Sequence, residues 1–310
     1  MTMRLTVPMS FIAGLQCALV ISASAQIILP ESKRPRMPEK VAVFAVEQSS
    51  GVTSIEPITL VHYGSDQRFK VIPSYWQPLP VPVWTEQEFD AFEKTYFRQG
   101  NRLSIFSGGE LVGVASIHAS ESEGREGGCH WLSASIRYDG HSTPRLATNT
   151  TTEIPGHRSA RRMASDTEID TLRRLARQWM SEYGLSDKIL DQGILGPVVA
   201  AQLRAEAGMA LIGRFNVSSL RSVHRLFMIA EPQGGSYRLT LTDLGVQRDL
   251  EDGKDRSEVH YLDQLDLNND GQDEVVVRRE LYEGWIYTIY SAPQHGENWG
   301  NAFTGGRGGC

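Results

Sequence analysis

Residues 266–274 read Asp-Leu-Asn-Asn-Asp-Gly-Gln-Asp-Glu and run directly into Val275, Val276 and Val277. Oxygen-bearing side chains recur at every second position and a glycine sits sixth, a pattern that bends the chain tightly. The β-branched run behind it begins a strand. This stretch therefore commits the end of the chain to strand-loop-strand structure. Counting Asp266 as position 1, side-chain oxygens fall at 1, 3, 5 and 9: Asp266, Asn268, Asp270 and Glu274. Gln272, at position 7, offers its backbone carbonyl, and Gly271 permits the bend. Calcium takes about six to eight hard oxygen ligands at about 2.3–2.6 Å, and such a loop supplies them. The competing reading is an Asp/Asn/Gly turn that binds nothing, since these residues favour turns for local reasons.

An EF-hand requires a bidentate glutamate at position 12 and flanking helices. Here position 12 is Val277, and residues 259–265 and 275–281 have strand character. A loop of this spacing that leads straight into a strand resembles the calcium loops of FG-GAP and VCBS repeats, the blades of integrin-α-like propellers. The chain as a whole resembles an exported bacterial protein. The loop resemblance spans residues 265–290. It implies Asp266, Asn268, Asp270 and Glu274 as side-chain ligands, Gln272 as a main-chain ligand, and a structural Ca2+. An extracellular module of this kind binds at about 10⁻⁴–10⁻³ M. Asn268 stands where the pattern has aspartate, and the loop occurs once where a propeller would repeat it at a fixed period.

At the other end, Arg4 precedes a mostly apolar stretch over residues 5–22, and Ala23-Ser24-Ala25 gives small residues before Gln26. That is the grammar of a secretory signal peptide over 1–25, cleaved after Ala25. Its apolar core is shorter than the ~20 residues a membrane span needs. No membrane span is expected in the mature chain, and the expected location is secreted or periplasmic. Residues 26–40, with three prolines, read as a linker. Removal of the leader takes Cys17 with it and leaves Cys129 and Cys310, the candidates for one disulfide in an oxidising compartment. Free thiols and an intermolecular bridge are the alternatives. The formal net charge of −6 argues against nucleic acid as a partner.

Strands are expected over 41–46, 69–72, 103–106, 110–118 and 131–138. Thr85 and Glu88 form a capping box ahead of Phe89, Phe92, Tyr96 and Phe97 at helical spacing, and Gly100 supplies a stop. Ser165 and Glu168 repeat that chemistry ahead of Ile169, Leu172, Leu175, Ala176, Trp179, Met180 and Tyr183. Pro197 opens a third expected helix over 197–206. Six further strands are expected between 211 and 290 as an antiparallel meander. The fold class is α+β, mainly antiparallel β with two to three helices, arranged as two β-rich modules joined by a helical segment. The expected domains are an N-terminal β-rich module with one helix (41–140), a loop and helical segment (141–208) and a C-terminal β-meander with the calcium-type loop (209–310). The glycine-rich stretch 305–309 reads as a flexible tail.

No nucleophile elbow, paired-histidine zinc helix, P-loop or dinucleotide fingerprint occurs. His118 with His130, and His224 with His260, are pairs that strand pairing would bring together, and two histidines without a third ligand make a weak zinc case. Trp285, Tyr287 and Ile289 would share one face of the last strand, as core or as a carbohydrate platform. Two functional readings follow. One is an exported, noncatalytic protein with a structural calcium loop that binds a protein or surface polysaccharide. The other is an exported hydrolase whose active site no motif identifies.

Overall fold

Val41, Val43 and Ala45 alternate with Ala42, Phe44 and Val46, and all six are buried. A strand apolar on both sides needs cover on both sides. The computed structural model describes residues 40–63, 69–71, 86–121, 132–150, 160–204, 207–219, 222–248, 257–282, 284–293 and 298–308. The leader with Ala25, the linker, and both Cys129 and Cys310 lie outside them. So do the acidic stretch 249–255 and His130.

The first sheet contains β1 (Lys40–Ser49), β2 (Val52–His62), β3 (Phe69–Val71), β4 (Arg102–Ser107), β5 (Glu110–Ser120), β6 (Ala134–Tyr138) and β7 (Leu146–Thr148). Its order is β1-β7-β4-β5-β6-β2-β3, and the full-length pairing of β1 with β2 closes six of these strands into a ring, with β3 appended to β2. Closure removes exposed sheet edges. Ala42, Phe44, Ile55, Leu103, Ile105 and Ile117 fill the inner face. α1 (Glu86–Tyr96) packs against that core, with Phe97 just after it lying 6.0 Å from Phe44 and 5.6 Å from Phe92 between ring centroids. No strand is assigned from the sequence to 52–62, and Pro57 within it cannot donate to a ladder. The structure accommodates it at a register shift, where Phe44 faces Pro57 and Val43 faces Thr59.

Two more sheets follow. One holds β8 (Arg161–Met163), β9 (Ile194–Leu195), β10 (Val199–Ala201), β11 (Ala210–Ser218), β12 (Ser222–Gln233) and β13 (Ser236–Arg248), in order β13-β12-β11-β10-β8 with β9 on β11. The other is the meander β14 (Glu258–Leu265), β15 (Glu274–Leu281), β16 (Gly284–Ser291) and β17 (Gly300–Gly308). The meander is the central layer. Leu262, Val276, Tyr287 and Ile289 face Val43, Ala45, Ile58 and Phe106 on the outside of the ring. Val275, Val277 and Tyr290 face Ile212, Phe227 and Ile229 of the β8–β13 sheet. That double cover explains an unbroken Val275-Val276-Val277 run in an antiparallel strand, where one solvated face would have required alternation.

The far face of the β8–β13 sheet is covered by α2 (Asp166–Glu182) and α3 (Asp187–Leu190). Leu172, Ala176 and Met180 are the buried stripe of α2, spaced by four as a helix face requires. Its capping box is complete: Glu168 N–H donates to Ser165 Oγ, and the Glu168 carboxylate accepts from Ser165 N–H at 2.8 Å. Glu168 also pairs with Arg162 at 2.7 Å, which together with the cap holds its carboxyl down at about 2. Ser165→Ala should lower stability by about 1 kcal/mol, read as a lower denaturant midpoint at unchanged slope. With a depressed folded pKa, the Glu168 contribution is present above the ordinary glutamate range and lost as pH falls towards 2.

The described residues are thus mostly antiparallel β with three helices, as the α+β patterning predicts. Three local expectations are corrected. The helix expected over 197–206 is not formed in its described part, 197–204: Val199–Ala201 is strand β10, bonded to β8 and β11, because β-branched Val198 and Val199 suit a doubly paired, buried strand better than a helix turn. The strands between 211 and 290 divide between two sheets instead of forming one meander. The glycine-rich end is not a loose tail but strand β17, paired with β16. Gly306, at φ +60°, comes so close to the backbone of Pro57 and Ile58 that an added Cβ would lie 2.5 Å from the Pro57 carbonyl oxygen. The missing side chains are what let β17 lie against the ring.

Candidate functional site

The loop from Asp266 to Glu274 joins β14 to β15 in the central sheet. Asp266 is buried, and its two carboxylate oxygens accept the Asp270 N–H at 3.1 Å and the Gly271 N–H at 3.0 Å. The Asp270 carboxylate accepts the Gln272 N–H at 2.9 Å. Glu274, also buried, accepts the Leu267 N–H at 2.8 Å on one oxygen and the Asn268 side-chain amide on the other. Asn269 and Gly271 take φ of 57° and 88°, the left-handed turns that let the chain fold around these acids.

Among the described residues no lysine or arginine pairs with Asp266, Asp270 or Glu274. Burial is the main force pushing the Asp266 carboxyl up to about 6, and Asp270 adds repulsion. Glu274 is pushed well above the carboxylate range by burial, then by Asp266, Asp270 and Asp273. Asn268 Oδ1 and Gln272 Oε1 are buried without hydrogen-bond partners. Orphaned carbonyl-type oxygens beside buried carboxylates suit a hard cation, which neutralises the charge and takes up the free lone pairs. The residue chemistry therefore fits calcium. Asp266, Asn268, Asp270, Gln272 and Glu274 are the residues that would hold it.

The loop is tied to both neighbouring sheets. Tyr63, just beyond β2, donates its hydroxyl to the Leu267 carbonyl at 2.9 Å, and Leu267 is buried in the core shared with the ring. On the other side Asp273 N–H donates to the Leu203 carbonyl at 2.9 Å, and Gln272 bridges Arg204. Burial, Asp266 and Glu274 raise the Tyr63 phenol, so it stays protonated and able to donate.

Two further polar clusters sit on the same central sheet, and neither leaves a mark in local sequence. Buried Asp263 of β14 accepts the Gly108 N–H from the β4–β5 turn on both oxygens at 2.9 Å and pairs with Arg161 of β8 at 2.9 Å. It is a second link across all three sheets. Burial pushes its carboxyl up to about 6 against the pull of Arg161. The other cluster is Glu258, His260 and Glu280, whose ligand atoms lie within 4.8 Å of one another. Among the described residues it is the one group of three or more His, Cys, Asp or Glu that close, so the loop acids are spread more widely. Burial and the adjacent Arg214 hold His260 below the usual imidazole range.

His224 is not engaged as the sequence reading paired it: its Nε2 lies 2.9 Å from Ser222 Oγ and its ring stands edge-on to Tyr183. Trp285 and Tyr287 do share a face, and both donate to half-buried Glu56 of β2, at 2.8 and 2.7 Å. Tyr287 is fully enclosed, as a core residue.

No family model, curated protein or solved structure matches this chain. Among the described residues, no helix is long and apolar enough to cross a membrane.

Proposed function

We propose that this chain is an exported, noncatalytic β-scaffold protein, secreted or periplasmic, whose 266–274 loop holds a structural Ca2+ and whose surface binds a protein or polysaccharide. The observation that carries the calcium reading is the pair of buried carboxyls of Asp266 and Glu274, which no described lysine or arginine meets, beside the unpartnered oxygens of Asn268 and Gln272. The FG-GAP-like spacing of the loop supports it. The bonds to Tyr63 and Leu203 give the ion its role: by ordering the loop it would hold the ring and the β8–β13 sheet against the central sheet. A second reading, an exported hydrolase, draws on a cavity of about 420 Å³ beside His260 and Glu280.

Millimolar calcium, at about one to ten times a dissociation constant of about 10⁻⁴–10⁻³ M, stabilises by roughly 0.4–1.4 kcal/mol, which for a chain of this size raises Tm by roughly 1–3 °C. Scanning calorimetry of the mature chain in chelator and in millimolar calcium should show that increase. Asp270→Ala should abolish it. Magnesium should substitute poorly, since it demands tighter octahedral geometry. An identical wild-type melting curve with and without calcium would reject the site.

A further inference from the structure

The geometry points to a second cation site, for a transition-type divalent ion such as zinc, on Glu258, His260 and Glu280. The register of β14 on β15 sets Glu258 directly opposite Glu280, and His260 opposite Arg278. Glu258 and His260, two residues apart, share one face of β14. Two acids directly opposed across strands repel, so this arrangement is destabilising unless positive charge comes between them.

Distances favour a metal over a plain hydrogen-bond network. His260 Nε2 lies 3.6 Å from Glu258 Oε1 and 3.8 Å from Glu280 Oε1, too long for hydrogen bonds. That nitrogen is buried and has no hydrogen-bond partner. Zinc–nitrogen and zinc–oxygen bonds of about 2.0–2.2 Å place tetrahedral ligands roughly 3.4 Å apart. His260 Nε2 thus needs to close on each carboxylate by only a few tenths of an ångström, with all three atoms within 4.8 Å of one another. An imidazole with two carboxylates is a mixed nitrogen and oxygen set, which suits zinc, whereas calcium takes oxygen alone.

Arg214 is the competitor. Its Nη1 pairs with Glu258 at 2.5 Å and lies 3.2 Å from His260 Nδ1. A guanidinium only donates, so Nδ1 is the acceptor in that contact. Binding metal through Nε2 moves the ring proton to Nδ1, which obliges Arg214 to withdraw. Arg278 lies 4.0 Å from Glu280 but is also held by Glu47 at 2.9 Å and stacked over Trp285 at 4.3 Å, so it is the less movable of the two. Three protein ligands leave a fourth position on the ion, and the adjoining cavity of about 420 Å³, lined also by Arg145 and Arg278, gives water or a small anion room to take it.

The test is a zinc titration of the mature chain by calorimetry with millimolar calcium present, so that the 266–274 loop is occupied. One saturable equivalent is expected, weakened at least about tenfold in His260→Ala and Glu280→Gln and tightened in Arg214→Gln, which removes the competing charge. Absence of saturable binding, or binding unchanged in His260→Ala, overturns the site. Should those variants fail to fold, anomalous scattering at the zinc edge from wild-type crystals answers the same question. A peak between the three side chains supports the site, and zinc-soaked crystals without one overturn it. The outcome is independent of calcium in the loop.

Discussion

Asp263→Ala should destabilise the protein by about 3 kcal/mol, the lower end of the range for removing one partner of a buried ion pair. Asp263 is fully buried, and its loss strands the Gly108 N–H and leaves Arg161 without its acid. Arg161 retains 26 % side-chain exposure, so water relieves part of its isolation and the cost stays near the lower end. Urea denaturation measures the effect, and a loss under 1 kcal/mol would mean that the three-sheet link contributes little.

The same residue has a pH signature. Its carboxyl is pushed up to about 6 in the folded protein, against an ordinary value of 3.8. A raised acid favours the protonated folded form, so its contribution is most favourable below about pH 4, declines between 4 and 6, and is constant above. At about 1.4 kcal/mol per unit the decline amounts to roughly 3 kcal/mol. Asp263→Asn lacks this titration, so the stability of wild type relative to the variant should fall by roughly 3 kcal/mol as pH rises through that window, and parallel curves would refute the assignment.

Tyr287→Ala should cost about 3–5 kcal/mol, the range for large core truncations. Its aromatic ring is fully enclosed where the central sheet meets the strands β1–β7, and its hydroxyl supplies one of two bonds to half-buried Glu56. Tyr287→Phe separates the parts: it keeps the packing and removes the donor, so about 1–2 kcal/mol is expected. Burial already raises the Glu56 carboxyl while the Tyr287 and Trp285 donors hold it down, so Tyr287→Phe should also raise its pKa further. A Phe variant as unstable as the Ala variant would place the energy in the hydrogen bond and not in packing.

Local chemistry made several elements legible. The capping box at Ser165 and the four-residue spacing of Leu172, Ala176 and Met180 define α2, and the alternation around Leu103 and Ile105 marks β4. The loop at Asp266 was readable because its acids, amides and glycine lie within nine consecutive residues. Strand β2 was not readable, since what admits Pro57 is a bulge set by its partner Phe44. Nor was β17, whose glycines are needed for closeness to Pro57 and Ile58, residues some 250 positions earlier.

The sequence alone determined most of the strands and the helices α1 and α2, that the chain is mainly antiparallel β, and where an acidic, glycine-containing bend lies. These properties depend on side-chain period, caps and turn residues within a few positions of each other. Only the tertiary structure decided that the first strands close into a ring, that the last meander is covered on both faces, and that Glu258 meets His260 and Glu280. Register and layer order depend on burying both faces of each sheet at once, a condition satisfied by partners far apart in the chain.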